Sequence, residues 1–276
     1  MGNTECEQYN NIDELVSGLE NKGESHNKYC HYTTLHSLKS IIQSNSFQLT
    51  HGTSFQLNDL QESKIKGQYS EWLYTYLTSF SFRSISESVA MWSMYGIPRG
   101  DAICLHIPKR NMLKLKESII SNGAFVGSNH IEIKQVRLVD LAYIDSKSTK
   151  LCRGSGNKIE FGSEIKGLDK NKEVTGMIKN DAWDHEKETR LLIRTERESH
   201  DEHIYVSLPD DFFKGVTIVT GPCFEGNLVD RLMQFDIDIE QMGCEIKSSA
   251  LTNYVNIRDM CTLCRNNFEM EPIKYP

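Results

Sequence analysis

The eight residues from Trp183 to Arg190, WDHEKETR, constrain this chain more than any others, because they run without a break into Leu191-Leu192-Ile193. If they enter a strand, side chains two apart share a face, so Glu186, Glu188 and Arg190 stand side by side. Two carboxylates and a guanidinium on one sheet face are costly to bury, and proteins keep such groups mainly where chemistry uses them. The same residues also read as the solvated end of a helix, with Glu186 and Arg190 as an i,i+4 pair. The segment alone supports both readings.

Length and charge narrow the classes. At 276 residues the chain can bury a sizeable core, as one large domain or two small ones. Its 38% apolar and 25% charged residues are those of an ordinary globular protein. No apolar run reaches the roughly 20 residues needed to cross a bilayer, and the first ten residues lack a secretory signal. The expected location is the cytoplasm, without membrane. A net charge of −7 disfavours nucleic acid as a partner, since non-specific binding depends on neutralising phosphates. The basic run Lys109, Arg110, Lys114, Lys116 reads as the solvated face of a helix. Eight scattered cysteines read as free thiols. Cys261 and Cys264 lack the second pair or spaced histidines of a zinc site, so no metal ligands are expected.

Along the chain, Ile12, Leu15, Val16 and Leu19 form the stripe of a short helix, followed by a polar joint from Asn21 to Lys28. Residues 1–28 are therefore expected to precede a single α+β domain over 29–276. Tyr29 to Tyr32 read as a strand, and Thr33 or Thr34 caps a helix bearing Leu35, Leu38, Ile41 and Ile42. Strands are expected at Phe47–Thr50, Leu77–Phe82, Ala102–Leu105, Val216–Val219 and Cys244–Lys247, with helices near Ser86–Tyr95 and Leu228–Met233. Apolar density falls between 145 and 181, which reads as a long mobile insertion. Strands and helices mix without strict alternation, which favours α+β over a doubly wound sheet.

These pieces resemble a bacterial family known as domain of unknown function 2971. The likeness rests on His31-Tyr32-Thr33, Asn58-Asp59 with Glu62, Phe80-Ser81, Met91-Trp92-Ser93-Met94-Tyr95, and Trp183 with Glu186, Glu188 and Arg190. Val219-Thr220-Gly221-Pro222 and Lys247-Ser248-Ser249 complete it, in order over residues 29 to 250. Leu60 and Gln61 depart from the Pro-aromatic pair usual after the Asn-Asp. A more distant resemblance is to ADP-ribosyltransferases: an aromatic, His31, Tyr32-Thr33, then a helix look like their first motif. Glu186-x-Glu188 looks like the paired glutamates of transferases acting on arginine.

That likeness implies mixed and antiparallel sheets flanked by helices, with NAD as substrate and cleavage of its nicotinamide–ribose bond. ADP-ribose would pass to a macromolecular acceptor or to water, in a bacterial effector or defence protein. It implies that His31 and Thr33 bind ribose, that Tyr32, Phe80 and Tyr95 stack on the flat rings, and that Ser81 and Arg190 line the pocket. Glu188 would stabilise the cationic sugar and Glu186 would orient or deprotonate the acceptor. Each also has a plain reading: a buried histidine satisfied by main chain, aromatics in a core, an ion pair made by Arg190. Two further functions remain open. One is a metal-dependent enzyme acting on nucleic acid through Asp59, Glu62, Glu186 and Glu188; the other is a non-catalytic nucleotide sensor or interaction module.

Overall fold

A computed structural model describes residues 7–9, 11–54, 69–82, 87–96, 98–144, 151–152, 158–161 and 172–253. The chain opens with strand β1 (Glu7–Tyr9) and helix α1 (Ile12–Gly23). Asn11 caps α1 by accepting from the Glu14 amide at 2.9 Å, and Asp13 and Glu14 complement the positive end of the helix dipole. Strand β2 (Lys28–Thr34) then leads into α2 (Leu35–Ser44). Of the two threonines, Thr34 is the cap, its hydroxyl accepting from the Ser37 amide at 3.2 Å. The helix stops at Asn45, whose φ of 46° lies in the left-handed region that asparagine tolerates.

Next come β3 (Ser46–His51), α3 (Tyr69–Trp72), β4 (Thr75–Ser81), α4 (Val89–Tyr95), β5 (Ala102–Pro108) and α5 (Lys109–Asn122). Strands β6 (Ala124–Val126), β7 (Asn129–Ile131), β8 (Ile133–Asp140), β9 (Ala142–Ile144), β10 (Leu151–Cys152) and β11 (Lys158–Phe161) follow. The last elements are β12 (Ile178–Asn180), β13 (Glu188–Thr195), β14 (His203–Ser207), β15 (Thr217–Thr220), α6 (Leu228–Met233) and β16 (Glu245–Ser248). The fold class is α+β. A small sheet runs β1-β11-β10-β9-β12, and an 11-stranded sheet runs β16-β15-β5-β2-β4-β3-β14-β6-β7, with β13 and then β8 added beside β4. Most pairs in the large sheet are antiparallel, and β15–β16 is parallel.

The large sheet forks at β4. One side of β4 pairs with β13 from Ser81↔Glu188 to Thr75↔Arg194. Its other partners are β2 at Cys30↔Ser81 and β3 at Leu77↔Thr50. The pleat then sorts the side chains. One face carries the main core, with Tyr29, Phe47, Phe80, Leu105, Leu191 and Ile193 packed under Leu38 of α2 and Leu115 of α5. The other face holds two smaller clusters. Leu15 and Leu19 of α1 pack with Trp72, Leu77, Val139 and Leu192. Met91 and Trp92 of α4 pack with Cys30, Tyr32, Cys104 and Val219.

Two boundaries differ from the sequence expectation. Residues before 29 do not stand apart: α1 buries Leu15 and Leu19 on Val139 and Leu192, and β1 pairs with β11. Nor is the whole of 145–181 an insertion. Residues Val174 to Lys179 are buried, and β12 pairs with β9. Sparse apolar content misled here because a buried lysine and a glycine replace the usual hydrophobic run. Among the described residues no helix is long and apolar enough to cross a membrane.

Candidate functional site

Between the α1 and α4 clusters the sheet face turns polar. The pleat of β13 sends Glu188 and Arg190 to this side, and the register Glu188↔Ser81, Arg190↔Ser79 brings two hydroxyls from β4 beside them. Glu186 arrives differently. It ends a 3-10 helix, Asp181–Glu186, and Lys187 turns the chain with φ 48° before β13 begins. The segment is thus neither the expected continuous strand nor a helix end with a Glu186–Arg190 pair. A turn sits between the two glutamates and still delivers both to one place.

The contacts are dense. Lys179 donates to Glu186 Oε2 at 2.6 Å and to Glu188 Oε2 at 3.1 Å. Arg190 donates through Nε to Glu188 Oε1 at 2.7 Å and through Nη2 to Oε2 at 3.3 Å. Its Nη1 reaches the Gly176 carbonyl at 3.1 Å. Ser79 donates its hydroxyl to Glu188 Oε1, and Tyr95 of α4 donates to Glu186 Oε1 at 2.5 Å. Ser81 donates to the Glu186 carbonyl at 2.8 Å, and the Glu188 amide to the Tyr143 hydroxyl at 3.0 Å. Trp183 lays its ring 4.8 Å from the Lys179 ammonium, a cation–π contact. Glu186, Glu188 and Arg190 are 2–3% exposed and Lys179 is 5% exposed, so this is a buried double ion pair.

Burial pushes both carboxyl groups toward a higher pKa, yet their charged neighbours drive the two apart. For Glu188 the charges of Arg190 and then Lys179 overcome burial and hold its carboxyl well below the usual range. For Glu186 burial prevails, reinforced by the negative Glu188 and only partly offset by Lys179 and Tyr95, so its pKa is raised. One carboxylate is held ionised, while its neighbour ionises less readily than an ordinary glutamate. Such a split assigns acid and base roles in paired-carboxylate sites.

The remaining expected residues divide by face. Tyr32 lies on the same face, packed on Trp92, with its hydroxyl accepting from the Ser88 amide at 3.4 Å. His31, Thr33 and Phe80 do not join the carboxylates. Thr33 and His31 alternate with Tyr32 along β2, and Phe80 alternates with Ser79 and Ser81 along β4, so all three belong to the main-core face. His31 packs against Phe47 and Phe80 at 5.4 Å ring separation, and its Nδ1 lies 3.1 Å from the Ser79 carbonyl. A carbonyl only accepts, so Nδ1 carries the proton. Burial lowers the His31 pKa, which favours the neutral ring. The imidazole fills the fork of β4, satisfying a carbonyl between its pairings with β2 and β3. The expected convergence of His31 and Glu188 on one crevice is therefore corrected. They meet Ser79 from opposite faces of the sheet.

Asn58, Asp59, Glu62, Cys261 and Cys264 lie outside the described residues. Lys179 and Ser79 were not read from the sequence. Lys179 carries no motif, and its only local hint is the Met177-Ile178 pair before it. Comparison with protein-family models, with curated proteins and with solved structures finds no match, so the family resemblance stands on its own residues.

Proposed function

We propose that the chain is an enzyme that cleaves the nicotinamide–ribose bond of NAD, as an ADP-ribosyltransferase or NAD glycohydrolase, with Glu188 and Glu186 at its centre. The observation that carries this reading is the pair of buried carboxylates held on one lysine, Glu186 at 2.6 Å and Glu188 at 3.1 Å, in surroundings that push their pKa values in opposite directions. As the glycosidic bond breaks, positive charge develops on the sugar, and an ionised carboxylate in a low-dielectric setting stabilises it. Glu188 has that character. Glu186, with its raised pKa, exchanges a proton with the acceptor, which is a macromolecule in a transferase or water in a hydrolase. Ser81 and Tyr95 set the position of Glu186, and Arg190 with Ser79 sets that of Glu188. Ribose recognition is not assigned to His31. Such a reaction suits a cytoplasmic bacterial effector or defence protein.

The test is release of nicotinamide from NAD by the purified chain. Glu188→Gln is expected to lower the rate at least about 100-fold, and Glu186→Gln by about 100-fold or more. His31→Gln retains a donor for the Ser79 carbonyl and is expected to leave the rate nearly unchanged. Intact NAD in every reaction, with candidate protein and small-molecule acceptors supplied, overturns the reading.

Burial favours a second reading. Both carboxylates are at most 3% exposed and all four of their oxygens accept hydrogen bonds, as a non-catalytic nucleotide sensor or interaction module allows. NAD-dependent protection against thermal unfolding without nicotinamide release supports that sensor. A metal-dependent enzyme on nucleic acid has less support, because the oxygens a divalent ion needs are taken by an ammonium and a guanidinium.

A further inference from the structure

A second group of reactive side chains lies on the same sheet face, separated from Glu188 by Ser81 of β4, and no role above uses it. Cys30 of β2 stands directly across from His106 of β5, and Cys104 precedes His106 by two residues on the same strand. The pleat therefore turns all three side chains to the α4 side. One ligand atom from each, the two Sγ atoms and a ring nitrogen, lies within 4.8 Å of the other two. Cys30 and Cys104 are 3% and 1% exposed, while His106 is partly exposed.

We propose that Cys30, Cys104 and His106 bind a zinc ion, with solvent completing the tetrahedron at the open edge beside His106. Thiolate and imidazole are the donors zinc prefers, at about 2.3 Å for sulfur and 2.0–2.1 Å for nitrogen. Closing from the present separations onto one ion needs only side-chain adjustment. Charge supports the choice. Two thiolates neutralise a divalent ion, and a neutral centre suits the apolar walls of Met91, Trp92 and Val219. On binding, each thiol still protonated releases its proton to solvent. The free-thiol reading of these cysteines is compatible with the site, because thiols are what the metal takes.

Cobalt(II) is a suitable probe, added to full-length protein stripped with chelator and kept reduced. The expected result is one equivalent bound, with the visible bands of tetrahedral cobalt and near-ultraviolet sulfur-to-metal charge transfer, both displaced by zinc. Cys30→Ser, Cys104→Ser and His106→Gln are each expected to weaken binding at least about tenfold, since even residues behind a ligand carry effects of that size. Cys261→Ser/Cys264→Ser is expected to leave the signal intact. Far-UV circular dichroism identifies any variant that does not fold, and His106→Gln, at a partly exposed position, keeps the test open if the buried serine variants fail. Absence of charge transfer in the parent overturns the proposal. So does a signal that survives His106→Gln unchanged, or one abolished by removing Cys261 and Cys264 instead.

Discussion

The two faces of β13 use one buried strand for opposite purposes. Toward α2 and α5, Leu191 and Ile193 enter the main core, fully buried among aliphatic and aromatic neighbours. Toward α1 and α4, Glu188 and Arg190 are buried almost as deeply but meet Lys179, Glu186, Ser79 and Tyr95. Burial depth therefore does not distinguish them; what each face would lose does. A well-packed hydrophobic set on the second face would stabilise the fold at least as well, because desolvating ions offsets much of their mutual attraction. A charged face kept in place of such a core is what the proposed catalytic role would require. At the start of the strand even the core face turns polar: Thr189 donates to Asp140 at 2.7 Å, and His26 approaches the same carboxylate at 2.7 Å.

The largest effect is expected on the charged face. Arg190→Met leaves Glu188 with Lys179 and the Ser79 hydroxyl and is expected to cost about 3–5 kcal/mol at pH 7, read from urea unfolding. The loss has a sign in pH. The depressed pKa of Glu188 contributes stability above the unfolded glutamate value, and this is lost as pH falls through the folded value. Parent and variant should thus draw closer in acid. A loss under 1 kcal/mol at pH 7 would show that the two faces are not energetically distinct.

On the apolar face Leu191→Ala is expected to cost about 2–5 kcal/mol, by lost transfer energy and a cavity. Here the loss should not vary with pH, since no titrating group contacts are removed. A pH-dependent loss would mean that the faces are coupled through the strand.

Smaller and opposite in sign is Glu186→Gln. A raised folded pKa means the native state holds the proton longer, so parent stability declines as pH rises from the ordinary glutamate value through the raised one. The amide removes that decline, and the variant should equal or exceed the parent at pH 7. Continued decline in the variant would assign it to another group. Smallest is Tyr95→Phe, which deletes one donor to Glu186 and is expected to cost about 0.5–1.5 kcal/mol. No change there would exclude α4 from the charged face.

What the sequence disclosed was local. The stripe Leu15, Val16, Leu19 gave α1, a threonine before Leu35 gave the cap of α2, and alternation gave β4. Convergence of Glu186, Glu188 and Arg190 was also legible, though Arg190 serves Glu188 rather than Glu186. Long-range placement was not legible. His31 has the neighbours a ribose contact would need, but its face is set by the register of β2 on β5, which lies some seventy residues on. Lys179 comes from a stretch whose polar composition hid its burial, and Cys30 meets His106 only through the same distant pairing.

The left-handed residue between the two glutamates gives a handle on them that leaves both intact. Lys187 makes the one step of main chain that lets Glu186 leave the ladder while Glu188 stays in it. Glycine should accept that torsion freely, whereas a β-branched side chain resists it by roughly 1–2 kcal/mol. Lys187→Val, which also removes the Lys187–Asp184 ion pair at 2.7 Å, should therefore slide the first carboxylate off its lysine and separate the two titrations, with the same acids still in the sequence.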